Sequence, residues 1–101
     1  SLGRAWPAIR SDIDAGRLTM IGLVRTAGWN PLATGLGHQV VGYRYAESRD
    51  RIAIGIYDPN HPDRDDVELT IERDSDGAVR LAQTTREPLL GILSLPFVPP
   101  R

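Results

Sequence analysis

The sequence predicts an α+β fold in which one N-terminal helix packs on an antiparallel sheet of four to six strands. Residues 6–16 place Trp6, Ile9 and Ile13 at helical spacing ahead of Gly16, a residue that commonly ends helices. Beyond them, short runs alternate between apolar and polar residues and are separated by turn formers. One helix followed by an antiparallel sheet is the α+β class.

The predicted elements follow one another in a simple order. The helix is expected over residues 6–16, with Pro7 in its first turn. The strands are predicted from short runs rich in β-branched and aromatic residues, at residues 18–24, 38–45, 51–57, 67–72, 79–83 and, as a buried closing strand, within 89–98. Residues 46–50 form a polar connection of hairpin length, and residues 25–37 are rich in Gly and turn formers, which predicts a loop.

Composition limits the function classes. A chain of 101 residues has room for one domain. A net charge of −1 argues against the strongly basic face that nucleic-acid binders carry, and the lack of a long apolar run predicts no membrane span. The chain has no cysteine, which excludes disulfides, thiolate metal sites and a thiolate nucleophile within these residues and leaves the cellular compartment open.

The best candidate for chemistry is a pair of residues at the open end of the predicted hairpin. His38 begins one strand and Asp58 follows the next. Pairing about residues 47–48 would place position 38 opposite position 57, so we expect the two side chains within hydrogen-bond reach. A carboxylate on one imidazole nitrogen fixes the tautomer and leaves the other nitrogen as a base, with Asn60 a second candidate for that orienting role. The alternative is an ordinary strand-edge histidine beside a turn.

The segments GHQVVGY (residues 37–43) and IYDPNHP (residues 56–62) resemble the His and Asp segments of papain-like cysteine peptidases of the bacteriocin-processing type. In that family a histidine at the start of a β-strand pairs with a cysteine on an upstream helix, and an Asp or Asn after the next strand orients the histidine. The resemblance extends over most of residues 6–72. It implies that residues 1–101 are a single domain forming the C-terminal portion of a larger papain-like domain.

The sequence departs from that family where the nucleophile should be. The family's cysteine and its assisting glutamine would precede Ser1, and Gln39 cannot replace the glutamine because it alternates to the face opposite His38. The start of the chain is typical of a mid-protein boundary or an expression scar. Ser11, Ser48 and Ser94 lie in no motif that would activate a hydroxyl.

Two further features have both a functional and a structural interpretation. Trp29, in the loop before His38, is a candidate for lining a substrate cleft. Residues 58–66 contain His61 and several carboxylates. They contain no glycine but two prolines, Pro59 and Pro62. Calcium loops need alternating ligands and a glycine for the sharp turn, so we expect a solvated acidic turn, no metal and no cofactor.

Two functions therefore remain in competition. In the first, the chain is the His/Asp half of a cysteine peptidase or acyl-transfer domain that acts on a peptide or protein once a cysteine-bearing N-terminal segment joins it. In the second, the chain is a non-catalytic binding module whose uncovered apolar surface drives homodimer formation or partner binding.

Overall fold

A computed structural model describes residues 2–24, 38–86, 89 and 91–95. Within these ranges lie one helix and six strands, confirming the α+β class. In chain order they are α1 (Leu2–Asp14), β1 (Thr19–Val24), β2 (His38–Glu47), β3 (Arg51–Tyr57), β4 (Glu68–Arg73), β5 (Val79–Gln83) and β6 (Gly91–Leu95). All six strands join one antiparallel sheet in the order β5-β4-β3-β2-β1-β6.

The sheet has one apolar face, which we call the helix face because α1 packs on it over β2, β1 and β6. Alternation along the strands turns one side chain in two toward this face. The core consists of buried aliphatic side chains from the helix, the strands and the connections between them, among them Ala5, Ile9, Ile21, Leu23, Val40, Ile54, Ile56, Leu69 and Ile92. Gly42 allows close packing here, because a Cβ at that position would lie 2.9 Å from Thr19 Cγ2.

The helix begins earlier than the sequence pattern predicts, and this prediction was wrong. It starts at Leu2, which places Pro7 inside the helix rather than in its first turn. Proline has no N–H, so the helix loses one backbone hydrogen bond at this point. Burial of Ile9 and the edge-to-face contact between Trp6 and Tyr45, with ring centroids 5.3 Å apart, favour the helix in spite of that loss.

Polar contacts hold the last turns of the helix to β2. The Tyr45 hydroxyl donates to Asp14 Oδ1 at 2.5 Å, and this bond raises the pKa of Tyr45 above its ordinary value. Arg10 lies 3.2 Å from Glu47. These groups are at least partly exposed, so they contribute mainly to the orientation of the helix rather than to its stability.

The opposite side of the sheet, the outer face, carries mostly polar side chains on β4 and β5 and mostly apolar ones on β6, β1 and β2. Its half-buried apolar side chains surround Gly22 and are Met20, Val24, Val41, Leu93 and Leu95. The closing strand was expected to be buried, and this expectation was wrong for most of it, since in β6 only Ile92 is buried. No helix in the described part of the chain is long and apolar enough to cross a membrane.

Candidate functional site

His38 and Asp58 lie in direct contact on the helix face. His38 Nε2 and Asp58 Oδ1 are 2.6 Å apart, which confirms the predicted hydrogen bond. A carboxylate only accepts hydrogen bonds, so Nε2 carries the hydrogen and donates it. The other ring nitrogen, Nδ1, is then free of hydrogen in the neutral ring, which is the state a general base requires.

The two side chains differ in exposure in the way that a base and its orienting residue do. The Asp58 side chain is fully buried, whereas that of His38 is 14% exposed. Burial removes competing water from the Asp58 carboxylate and strengthens its hold on the ring, while the remaining exposure leaves part of the imidazole open to a reactant. The pair thus combines a fixed ring with an accessible edge.

A second donor fixes the carboxylate itself. The backbone N–H of Asn60 donates to Asp58 Oδ1 at 2.9 Å, closing a turn in which the Asp side chain bonds two residues ahead. Asp58 Oδ2 is buried and has no hydrogen-bond partner within the described ranges. Asn60 was predicted as an alternative orienting side chain, and its observed contribution to the site is through its backbone.

The strand register explains how the pair meets, and it corrects the predicted pairing. Ile52 pairs with Glu47 and Tyr57 pairs with Val41, so the hairpin is centred about two residues later than we expected. A register shift between Gly42 and Arg44 adds an extra residue to β2. Position 38 therefore lies beyond the end of β3, and the backbone turn after Tyr57 brings Asp58 back to it.

Residues 58–66 form a hydrogen-bonded turn rather than an open ligand loop. The Asp58 carbonyl accepts from the His61 N–H at 2.9 Å. Arg64 donates two parallel hydrogen bonds of 2.9 Å to Asp66, and they hold the pKa of the Asp66 carboxyl below its usual value. No group of three or more His, Asp or Glu side chains is placed to hold a metal ion among the residues that the structure describes.

The other candidate residues that the structure describes lie away from the pair. Trp29 lies outside the described residues. The Ser48 hydroxyl donates to the Arg51 carbonyl in the hairpin turn, and ten residues of β2 place it roughly 30 Å from His38. Ser11 is exposed on the helix, and Ser94 on β6 is separated from β2 by β1. Within the described residues, neither the sequence nor the fold brings a nucleophile to His38.

Comparison of the chain with family models, with curated proteins and with solved structures gives no match. The resemblance to papain-like peptidases accordingly rests on the two sequence segments around His38 and Asp58.

Proposed function

We propose that this chain is the histidine-bearing half of a papain-like cysteine peptidase or acyl-transfer domain. His38 acts as the general base and Asp58 orients it. The observation that carries the proposal is the 2.6 Å hydrogen bond from His38 Nε2 to a fully buried Asp58 carboxylate. Residues 1–101 contain no cysteine, so the proposal places the thiol on a segment outside them.

The arrangement supports a defined sequence of proton transfers. Nδ1 takes the thiol proton as the sulfur attacks an amide or thioester carbonyl, and the Asp58 carboxylate stabilises the imidazolium that forms. The imidazolium then gives its proton to the leaving amine or thiolate, which leaves an acyl-thioester on the cysteine. For hydrolysis, Nδ1 next takes a proton from the water that attacks this thioester, and the thiol is restored.

The isolated chain is expected to be catalytically silent. The test compares residues 1–101 alone with the same residues joined to whatever the gene encodes before Ser1, using a fluorogenic peptide and an activated thioester as substrates. We expect turnover only from the longer polypeptide and only if it contains a cysteine. Turnover by the isolated chain that is lost in His38→Ala would point to a water or serine nucleophile, and a cysteine-bearing polypeptide that stays inactive on both substrates would contradict the proposal.

A second candidate function, self-association without chemistry, is favoured by the outer face. The half-buried side chains Met20, Val41 and Leu95 lie together there around Gly22. Apolar groups clustered on one side of a sheet are typical of an interface, and a two-fold dimer is the commonest way to cover one.

We expect residues 1–101 to dimerise at high micromolar concentration through this outer face. The measurement is light scattering of the native chain and of Leu95→Glu, which places a charge in the middle of the patch. The variant should be monomeric at concentrations where the native chain is dimeric. Asp76→Glu, at an exposed turn position, is the control and should leave the dimer intact. A native chain that stays monomeric throughout would contradict self-association.

A further inference from the structure

A concave surface lies at the hairpin end of the sheet, away from His38 and Asp58. Its volume is about 540 Å³, and it is lined by the first turns of α1, the β2–β3 turn and the adjoining ends of β4 and β5. Five residues of β3 lie between its floor at Ile52 and Asp58, a distance of roughly 20 Å. We call this surface the hairpin groove, and it is spatially separate from the candidate catalytic pair.

The floor of the hairpin groove is apolar. It is formed by Trp6 and Pro7 from the helix and by Ile52, Ile71 and Val79 from the sheet. Val79 is 44% exposed, an unusual exposure for an aliphatic side chain on the face of the sheet that carries the core. An apolar side chain of a bound ligand would cover this surface, and both apolar surfaces would be removed from water.

The rim of the groove is rich in guanidinium groups. Three arginines line it, and two of them, Arg49 and Arg73, form no ion pair with any residue in the described ranges. The third, Arg51, lies 3.3 Å from Glu72. Two carboxylates, on Glu47 and Asp50, also line the groove. The Glu47 carboxylate forms an ion pair with Arg10.

The position of Arg73 is fixed by the backbone. Its N–H donates to the Asp50 carbonyl at 2.8 Å, which ties the β2–β3 turn to the end of β4. Arg73 is also the cross-strand partner of Val79, so a free guanidinium and an exposed aliphatic side chain stand side by side on one face. A guanidinium presents a planar fork that matches a carboxylate, and the apolar floor beside it matches a bulky aliphatic or aromatic group.

We propose that the hairpin groove binds an acidic peptide segment in which an apolar side chain is followed by carboxylates. The apolar side chain lies on Ile52, Ile71 and Val79, and the carboxylates pair with Arg49 and Arg73. The two guanidinium groups without an ion pair in the described part of the chain favour a peptide that carries two carboxylates over a fatty acid, which carries one. The proposal does not depend on the chemistry of His38.

The test is a binding titration of the native chain with the labelled hexapeptide GSGFEE. We expect saturable binding with a Kd on the order of 100 µM that weakens as salt is added. Two matched peptides separate the contributions: GSGSEE removes the apolar side chain and amidated GSGFQQ removes the charges, and each should bind at least about tenfold more weakly. Decanoate is tested in parallel, and tight binding of decanoate without binding of the peptide would overturn the assignment to a peptide.

Variants of the chain locate the site. The double variant Arg49→Gln/Arg73→Gln should weaken binding of GSGFEE about tenfold or more. Arg80→Gln makes the same change on β5 at a position that does not line the groove, and it should bind like the native chain. Amide shifts in the NMR spectrum should cluster at Ser48 to Ile52, Arg73 and Val79. Shifts centred on His38 and Asp58, or equal weakening by Arg80→Gln, would overturn the proposal.

Discussion

If a cysteine-bearing segment completes the proposed site, replacing His38 with alanine in that longer polypeptide is expected to lower kcat/KM by about 10³-fold or more. General-base catalysis by a positioned imidazole contributes about 10²–10⁴ to the rate, and loss of the imidazolium partner also lowers the thiolate fraction. The measurement is kcat/KM on a fluorogenic peptide or thioester, together with the rate of alkylation by iodoacetamide against pH. The native thiol should react well below pH 8, whereas in His38→Ala its alkylation should follow the pKa of about 8.5 of a free thiol.

The neighbouring residue gives the matched control for His38. Gln39 is exposed on the outer face of the same strand, so Gln39→Ala changes the local sequence without touching the pair. This variant should keep native kinetics and the native alkylation profile. Native activity in His38→Ala would remove the histidine from the mechanism, and equal losses in both variants would point to a damaged strand rather than a lost base.

Much of the sheet could be predicted from the sequence because its strands alternate between apolar and polar residues. Ile52, Ile54 and Ile56 fall on one face, and two of the three, Ile54 and Ile56, are fully buried in the core. The predicted hairpin also brought His38 and Asp58 to the same end of the sheet, although its register was about two residues off. These features depend on residues that are close in the sequence, so the sequence alone indicates them.

The register of the hairpin could not be predicted because the local sequence pattern does not indicate the extra residue that β2 contains between Gly42 and Arg44. Arg44 lies across the strand at Gly55, where a Cβ would come within 2.5 Å of its side chain. The Arg44 guanidinium continues to Glu68 on β4 at 2.8 Å. This crossing of two strands accompanies the bulge after Gly42, and nothing in the local pattern of residues 42–47 indicates it.

The burial of the site also escapes sequence reasoning. The motif predicts that Asp58 lies near His38, but not that its side chain is fully buried or that both of its hydrogen bonds fall on Oδ1. Burial depends on how the turn of residues 58–66 folds back over the end of the sheet, which is a property of the whole chain. The lining of the hairpin groove was missed because Arg49 is distant in sequence from Arg73 and Val79.

Two substitutions at Asp58 should separate its role in orienting the His38 ring from the role of its negative charge. In Asp58→Asn the amide oxygen still accepts from His38 Nε2 and from the Asn60 N–H, so the ring keeps its position but loses the charge that stabilises the imidazolium. In Asp58→Ala both donors lose their acceptor inside the protein. We expect Asp58→Asn to lower kcat/KM about ten- to a hundredfold and Asp58→Ala about a thousandfold, with about 1–3 kcal/mol of stability lost in the alanine variant. Kinetics of the cysteine-bearing polypeptide and urea unfolding of each variant measure the two effects.

Asp66→Ala, which removes a more exposed carboxylate from the same turn, is the control and should leave the kinetics unchanged. If Asp58→Ala were as active as the native protein, Asp58 would be a structural residue of the turn and not the group that orients His38.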